Sequence, residues 1–118
     1  MIPLDTMDSD IMLKIRISRE FARHRGTSVV LIWLLYNERS FNSELQRVWG
    51  GSLQAMRNAI EWLLQMKMIA AKDAHHPQID RYYTLTANGL RVAKILDAYM
   101  EEVVKVYTTI PEHPLNKK

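Results

Sequence analysis

The stretch from Ser52 to Glu61 carries the most specific chemistry in this chain. Met56, Ile60 and Leu63 recur at helical spacing, so they predict the core-facing side of one helix. Ser52, Gln54, Ala55, Arg57, Asn58 and Glu61 then fall on its other faces. Gln and Asn can pair bidentately with adenine, Arg can do so with guanine, and Ala can touch a thymine methyl. Ser52 and the amides beside it could hold a phosphate at the helix start. Any surface helix also has a polar face, so the surrounding elements must decide between base reading and simple solvation.

Two further groups of cations call for the same decision. Lys72, His75, His76 and Arg81 bracket a turn around Pro77 and would suit a phosphate backbone or a narrow groove. Adjacent histidines rarely hold one ion together, and the chain has no cysteine to help them, so no metal site is assigned. Lys14, Arg16, Arg19, Arg23, His24 and Arg25 form the densest basic cluster. In a helix Arg16, Arg19 and Arg23 line one side, fit either for phosphate contact or for solvation.

The elements that must position these groups are readable in outline. Residues 1–8 are a loosely ordered start. Ile11 to Arg25 fits a strand by the alternation of Leu13, Ile15 and Ile17, but Ile11, Ile15, Ser18 and Ala22 fit one helix face, and helix is the preferred reading. Gly26 breaks the chain, Thr27 or Ser28 can cap, and Val29 to Tyr36 is apolar on all sides, as a helix central to a small core must be. Asn37 to Ser40 is a polar turn. Asn42 or Ser43 caps a short helix, Glu44 to Trp49, and Gly50-Gly51 breaks it. Ser52 caps the next helix, to about Met66. Met68 to Lys72 and Arg81 to Thr86 read as two strands of a hairpin, and Thr86 caps a long last helix to about Tyr107. The fold class is therefore mainly α with a small β-hairpin: a helix-turn-helix with a wing directly behind it.

At this point the chain resembles the winged-helix transcriptional regulators of the MarR and PadR type, which include small archaeal and archaeal-virus members. The resemblance runs from about Ser28 to Tyr107. It rests on Arg81-Tyr82-Tyr83-Thr84-Leu85-Thr86-Ala87-Asn88-Gly89, similar to the "YxLTxxG" pattern that opens the last helix in such families. Ser52 to Ile69 is similar to their recognition helix and the turn into the wing. Lys67 stands where those families usually have a glycine, and Trp62 where they usually have a polar residue. The resemblance implies double-stranded DNA as partner, the helix from Ser52 in the major groove and the wing on the backbone. A fold alone does not fix a function.

In the last helix Ala93, Leu96, Met100, Val103 and Tyr107 follow a heptad seam, with Val92, Ile95, Tyr99 and Val106 as a second stripe beside it. One stripe can serve the chain's own core and the other a symmetric partner, so the seam is assigned to a homodimer interface. Trp33 reads as core, Trp49 as the closure of the helix-turn-helix, and one of Tyr82 and Tyr83 as core with the other exposed.

The bulk properties agree. The 118 residues suit one domain: a basic segment over 1–25, the helix-turn-helix and wing over 26–86, the dimerisation helix over 87–108 and a tail over 109–118. With 47% hydrophobic and 25% charged residues the chain is globular in composition. A formal charge of +3 favours polyanionic partners only modestly. Val29 to Leu35 is about a third of a membrane span, and residues 1–6 lack the features of a secretory signal, so a cytoplasmic protein without a membrane partner is expected. No phosphate loop, catalytic cysteine or paired-histidine helix is present, so neither enzyme activity nor a cofactor is expected. The leading expectation is a dimeric, sequence-specific DNA-binding regulator. The alternative is a winged helix used for protein–protein contact. Operator, regulated genes, sign of regulation and any small-molecule effector are not written in the sequence.

Overall fold

The computed structural model describes residues 9–72, 81–110 and 112. Five helices and three short strands follow in the order α1 (Ser9–Arg23), α2 (Thr27–Tyr36), β1 (Ser40–Phe41), α3 (Asn42–Trp49), α4 (Leu53–Gln65), β2 (Ile69–Lys72), β3 (Tyr82–Leu85) and α5 (Ala87–Thr108). This is the expected mainly helical winged helix-turn-helix. The N-terminal stretch is helical as far as Arg23, which settles the strand-or-helix ambiguity in favour of the helix. β1, a strand of two residues that begins at the last residue of the expected polar turn, was not anticipated.

The core forms around α2, whose Val30, Leu31 and Leu34 are buried, as an all-round apolar helix requires. Leu45 of α3, Met56, Ile60 and Leu63 of α4, Ile69 of β2, Tyr83 of β3 and Ala93 of α5 complete it. Trp33 is half-buried, and its indole N–H donates to the fully buried Ser40 hydroxyl at 3.0 Å, so the polar group that β1 brings inside is satisfied. The sheet is antiparallel in the order β1-β3-β2. Ser40 faces Tyr83 and Phe41 faces Tyr82, while Lys72 lies opposite Tyr82 on the other side.

Three local devices set the helix ends that matter. The Glu44 carboxylate accepts the Phe41 amide at 2.9 Å and fixes the start of α3. The Ser52 hydroxyl accepts the Ala55 amide at 3.0 Å and caps α4. The Thr86 hydroxyl does two jobs. It accepts the Gly89 amide at 3.0 Å, capping α5, and it donates to the Lys67 carbonyl at 2.7 Å. The Thr86 amide donates to the Met68 carbonyl at 3.0 Å. Lys67 itself has φ 58°, the left-handed turn for which similar proteins use glycine. Gly89 sits directly on the Met68 carbonyl, where a Cβ would collide with backbone.

This junction predicts a large effect from one small change. Thr86→Ala should lower stability by about 1–2 kcal/mol, as loss of a good N-cap does. Thr86→Ser should keep most of it. Urea denaturation with an unchanged m-value checks this, and equal midpoints for wild type and Thr86→Ala would refute it.

Candidate nucleic-acid interface

Packing Met56, Ala59, Ile60 and Leu63 inward leaves the opposite side of α4 in solvent. Ser52, Gln54, Arg57, Asn58 and Glu61 are all exposed, and Ala55 is half-buried. The six residues expected on this face therefore share it, with Ala55 at its margin. Gln54 donates through its side-chain amide to the Asn58 side-chain oxygen at 2.9 Å, one helical turn on, so the two amides are ordered as a pair. The helix is aimed by the turn before it. The Trp49 indole N–H donates to the Ser52 carbonyl at 3.2 Å, and the indole lies so close over Gly51 that a side chain there would strike it. Trp49 thus closes the helix-turn-helix, as expected.

The wing flanks one side of this face. Arg57, Ile60, Glu61 and Leu64 of α4 line a groove of about 300 Å³ together with Arg81, Tyr83, Asn42 and Gln54. Asn42, read in the sequence only as a candidate helix cap, is the first residue of α3, and only the fold brings it beside α4. Lys72 is exposed too, but on a different side of the sheet. Its cross-strand partner is Tyr82, whereas Arg81 lines the groove with Tyr83. Strand alternation places these neighbours on opposite faces, so the wing's two expected cations are not brought together. Tyr83 is the core tyrosine and Tyr82 the half-exposed one. His75 and His76 lie outside the described residues.

Helix α1 flanks the other side. Trp62 stands one turn beyond Asn58 and is buried by α1: Phe21 meets its ring edge-on at 4.9 Å, and His24 stacks on it at 5.1 Å and 17°. Packing beneath the N-terminal segment explains an aromatic where relatives usually have a polar residue. His24 also reaches the Glu20 carboxylate at 3.5 Å, as does Arg23 at 3.7 Å. Arg16, Arg19 and Arg23 are all exposed along α1. No residue of α1 is buried, and Met12, Leu13, Ile15 and Ile17 stand open.

The heptad seam of α5 requires a correction. Ala93 is fully covered by the chain's own core, and Leu96 packs against that core, so neither forms a free surface. Met100, Val103 and Tyr107 are half-buried. It is the neighbouring stripe that is open: Ile95 is 72% exposed, Tyr99 63% and Val106 60%. Both stripes have helical spacing, so periodicity alone could not say which one α2 would cover. At the far end of α2 the Tyr36 hydroxyl donates to Asp97 at 2.8 Å, a bond that raises the Tyr36 pKa and further fixes α5 on α2.

A helix-turn-helix, a three-stranded wing and a long terminal helix define a winged helix-turn-helix protein. Its structural neighbours include a MarR family member and two other proteins named as a repressor and a transcriptional regulator homologue. The zinc-responsive MarR family member ZitR of Lactococcus lactis superposes with a TM-score of 0.66 at 18% identity, over 87% of this chain and 82% of ZitR. The adhesin competence repressor AdcR of Streptococcus pyogenes gives 0.66 at 20% identity, over 91% and 82%. A transcriptional regulator homologue of Pyrococcus horikoshii gives 0.57 at 16% identity, over 69% and 81%. Against a mutant ZitR structure the alignment covers 74% of this chain but 59% of that one. No family model and no curated sequence matches the chain. At these identities the comparison establishes the fold. Among the described residues, no helix is long and apolar enough to cross a membrane.

The geometry of α1 yields a prediction. Its attachment depends on Phe21 and His24 against Trp62, so Phe21→Ala should release α1 while the rest stays folded. Hydrogen exchange should then show the amides of residues 13–23 near the unprotected rate and those of α2 and α4 still slow. Uniform loss of protection throughout the chain would contradict an independently docked α1.

Proposed function

We propose that this protein is a DNA-binding regulator of transcription that reads duplex sequence through α4 and acts as a homodimer. The observation that carries the reading is the exposed row Gln54, Arg57, Asn58 and Glu61 on a capped, core-anchored helix, with a wing beside it. Recognition helices present their first turns to base edges in the major groove. The N-terminal turns of α4 hold the side chains suited to adenine and guanine. The wing, with Arg81 and Lys72, and the basic side of α1, with Arg16, Arg19 and Arg23, supply phosphate contacts on either flank. The regulatory names of the structural neighbours favour this reading over an enzyme or a protein-docking module.

The zinc response named for ZitR is not carried over. The chain has no cysteine, and among the described residues no three His, Asp or Glu side chains gather at a site for an ion.

Support for the dimer comes from the apolar surface that one chain leaves open. Ile95, Tyr99 and Met100 of α5 and Phe21 and Ala22 of α1 line an apolar groove of about 610 Å³. The exposed Met12, Leu13, Ile15 and Ile17 of α1 add to it. Exposed apolar area of this extent marks an interaction surface, and a second copy related by a two-fold axis covers both helices at once. Such a dimer sets two recognition helices about one DNA turn apart and favours a palindromic site.

Two experiments test these statements. Arg57→Ala and Asn58→Ala should each cost about 1–3 kcal/mol on a site selected from random duplexes and much less on mixed-sequence DNA. An equal loss on both would contradict base reading. Tyr99→Glu combined with Ile95→Glu should convert a dimer into a folded monomer in sedimentation velocity at tens of micromolar, because both side chains are exposed in the single chain. A monomeric wild type under those conditions would overturn the dimer.

A further inference from the structure

We infer that α5 carries a self-recognition pattern for a second copy of this chain, in which the Tyr99 hydroxyl of each copy donates to the Glu102 carboxylate of the other. The inference rests on the dimer proposed above and names the polar pair that sets its register.

The open side of α5 holds more than apolar residues. Ile95, Tyr99, Glu102 and Val106 follow one another at steps of four, three and four, so they share one side of the helix, and all four are exposed. Glu102 therefore interrupts an otherwise apolar row. In the single chain its Oε1 is reached by the Lys105 ammonium at 3.0 Å, a pair between two exposed side chains that contributes little. A second copy laid on this row takes the carboxylate out of water, which is costly unless a donor faces it. The Tyr99 hydroxyl is such a donor, and it makes no hydrogen bond among the described residues.

Two-fold symmetry brings the two groups together. In an isologous contact, if one residue meets a second, the second meets the first in return. Laid antiparallel on itself, the row pairs Ile95 with Val106 of the other copy and Tyr99 with Glu102 of the other copy. Both pairings have the same midpoint, between Met100 and Glu101, so a single axis satisfies them at once. A shift of three residues toward one end sets Tyr99 against its own counterpart, and toward the other end sets Glu102 against its own, carboxylate on carboxylate. The row is about 16 Å long at 1.5 Å per residue, enough for three turns of contact. A hydroxyl on a carboxylate is among the stronger hydrogen bonds, and a polar pair in an apolar helix seam fixes register and partner. This self-complementarity is what identifies the occupant as a second copy of the same chain.

The test is the dimer dissociation constant from sedimentation equilibrium, with helix content and melting temperature followed for each variant. Tyr99→Phe keeps the ring and removes two bonds to charged groups per dimer, so the constant should rise about 100-fold. Glu102→Ala should act similarly, and the double variant should be no weaker than either single one, because both remove the same bond. A swap reads the register. Tyr99→Glu alone sets two carboxylates face to face and should give folded monomers. Adding Glu102→Tyr regenerates the antiparallel pairing and should restore the dimer. A dimer indifferent to Tyr99→Phe, or a swapped chain that stays monomeric, overturns the pairing and leaves dimerisation itself standing. A monomeric wild type removes the dimer and this inference together.

Discussion

One side-chain hydroxyl ties the end of α4, the wing and the terminal helix together. Thr86 caps α5 through the Gly89 amide, donates to the Lys67 carbonyl at the end of α4, and sits beside its own amide's bond to Met68. Four elements meet there: the end of the recognition helix, the first strand of the wing, the last strand of the wing and the long terminal helix. The left-handed Lys67 and the side-chain-free Gly89 are the two backbone conditions that let them approach so closely. A hydrogen bond of this kind contributes only about 1 kcal/mol net. Its structural weight is larger, because it joins the turn after α4 to the start of α5 at the point where both wing strands meet them.

The recognition face is correspondingly framed and not merely exposed. On one side the wing brings Arg81 and Asn42 to the edge of α4; on the other, α1 covers Trp62 one turn past Asn58. Between these flanks Gln54, Arg57, Asn58 and Glu61 form an open strip, with Arg81 on the wing side. The net charge of +3 understates this, since a polyanion responds to local cations within a Debye length, not to the chain's sum.

Much of this was legible before any coordinates. The apolar run of α2, the Ser52 and Thr86 caps and the hairpin chemistry are local signals, and each pointed to the right element, whereas α2 starts after Gly26 without the expected Thr27 or Ser28 cap. The YTLTANG segment was legible as a pattern, and its physical content is now explicit: Tyr83 in the core, Thr86 as cap and tie, Gly89 against the Met68 carbonyl. What escaped the sequence depends on long-range pairing. β1 is too short to leave a periodicity, so Asn42 beside Arg57 could not be seen. Alternation did say that Tyr82 and Tyr83 face opposite ways, but without the register of β2 it could not say that Lys72 sides with Tyr82.

The two stripes of α5 show the same limit in energetic form. Spacing identifies a helix with more apolar surface than one neighbour can cover, and it is silent on which stripe the neighbour takes. The structure shows the outcome: Ala93 is fully buried with Val92 and Leu96 packed against the core, while Ile95 and Tyr99 face outward. Thr86 ties the start of α5 to the end of α4, so the helix that carries the open Ile95 and Tyr99 is joined directly to the helix whose exposed face holds Gln54, Arg57, Asn58 and Glu61.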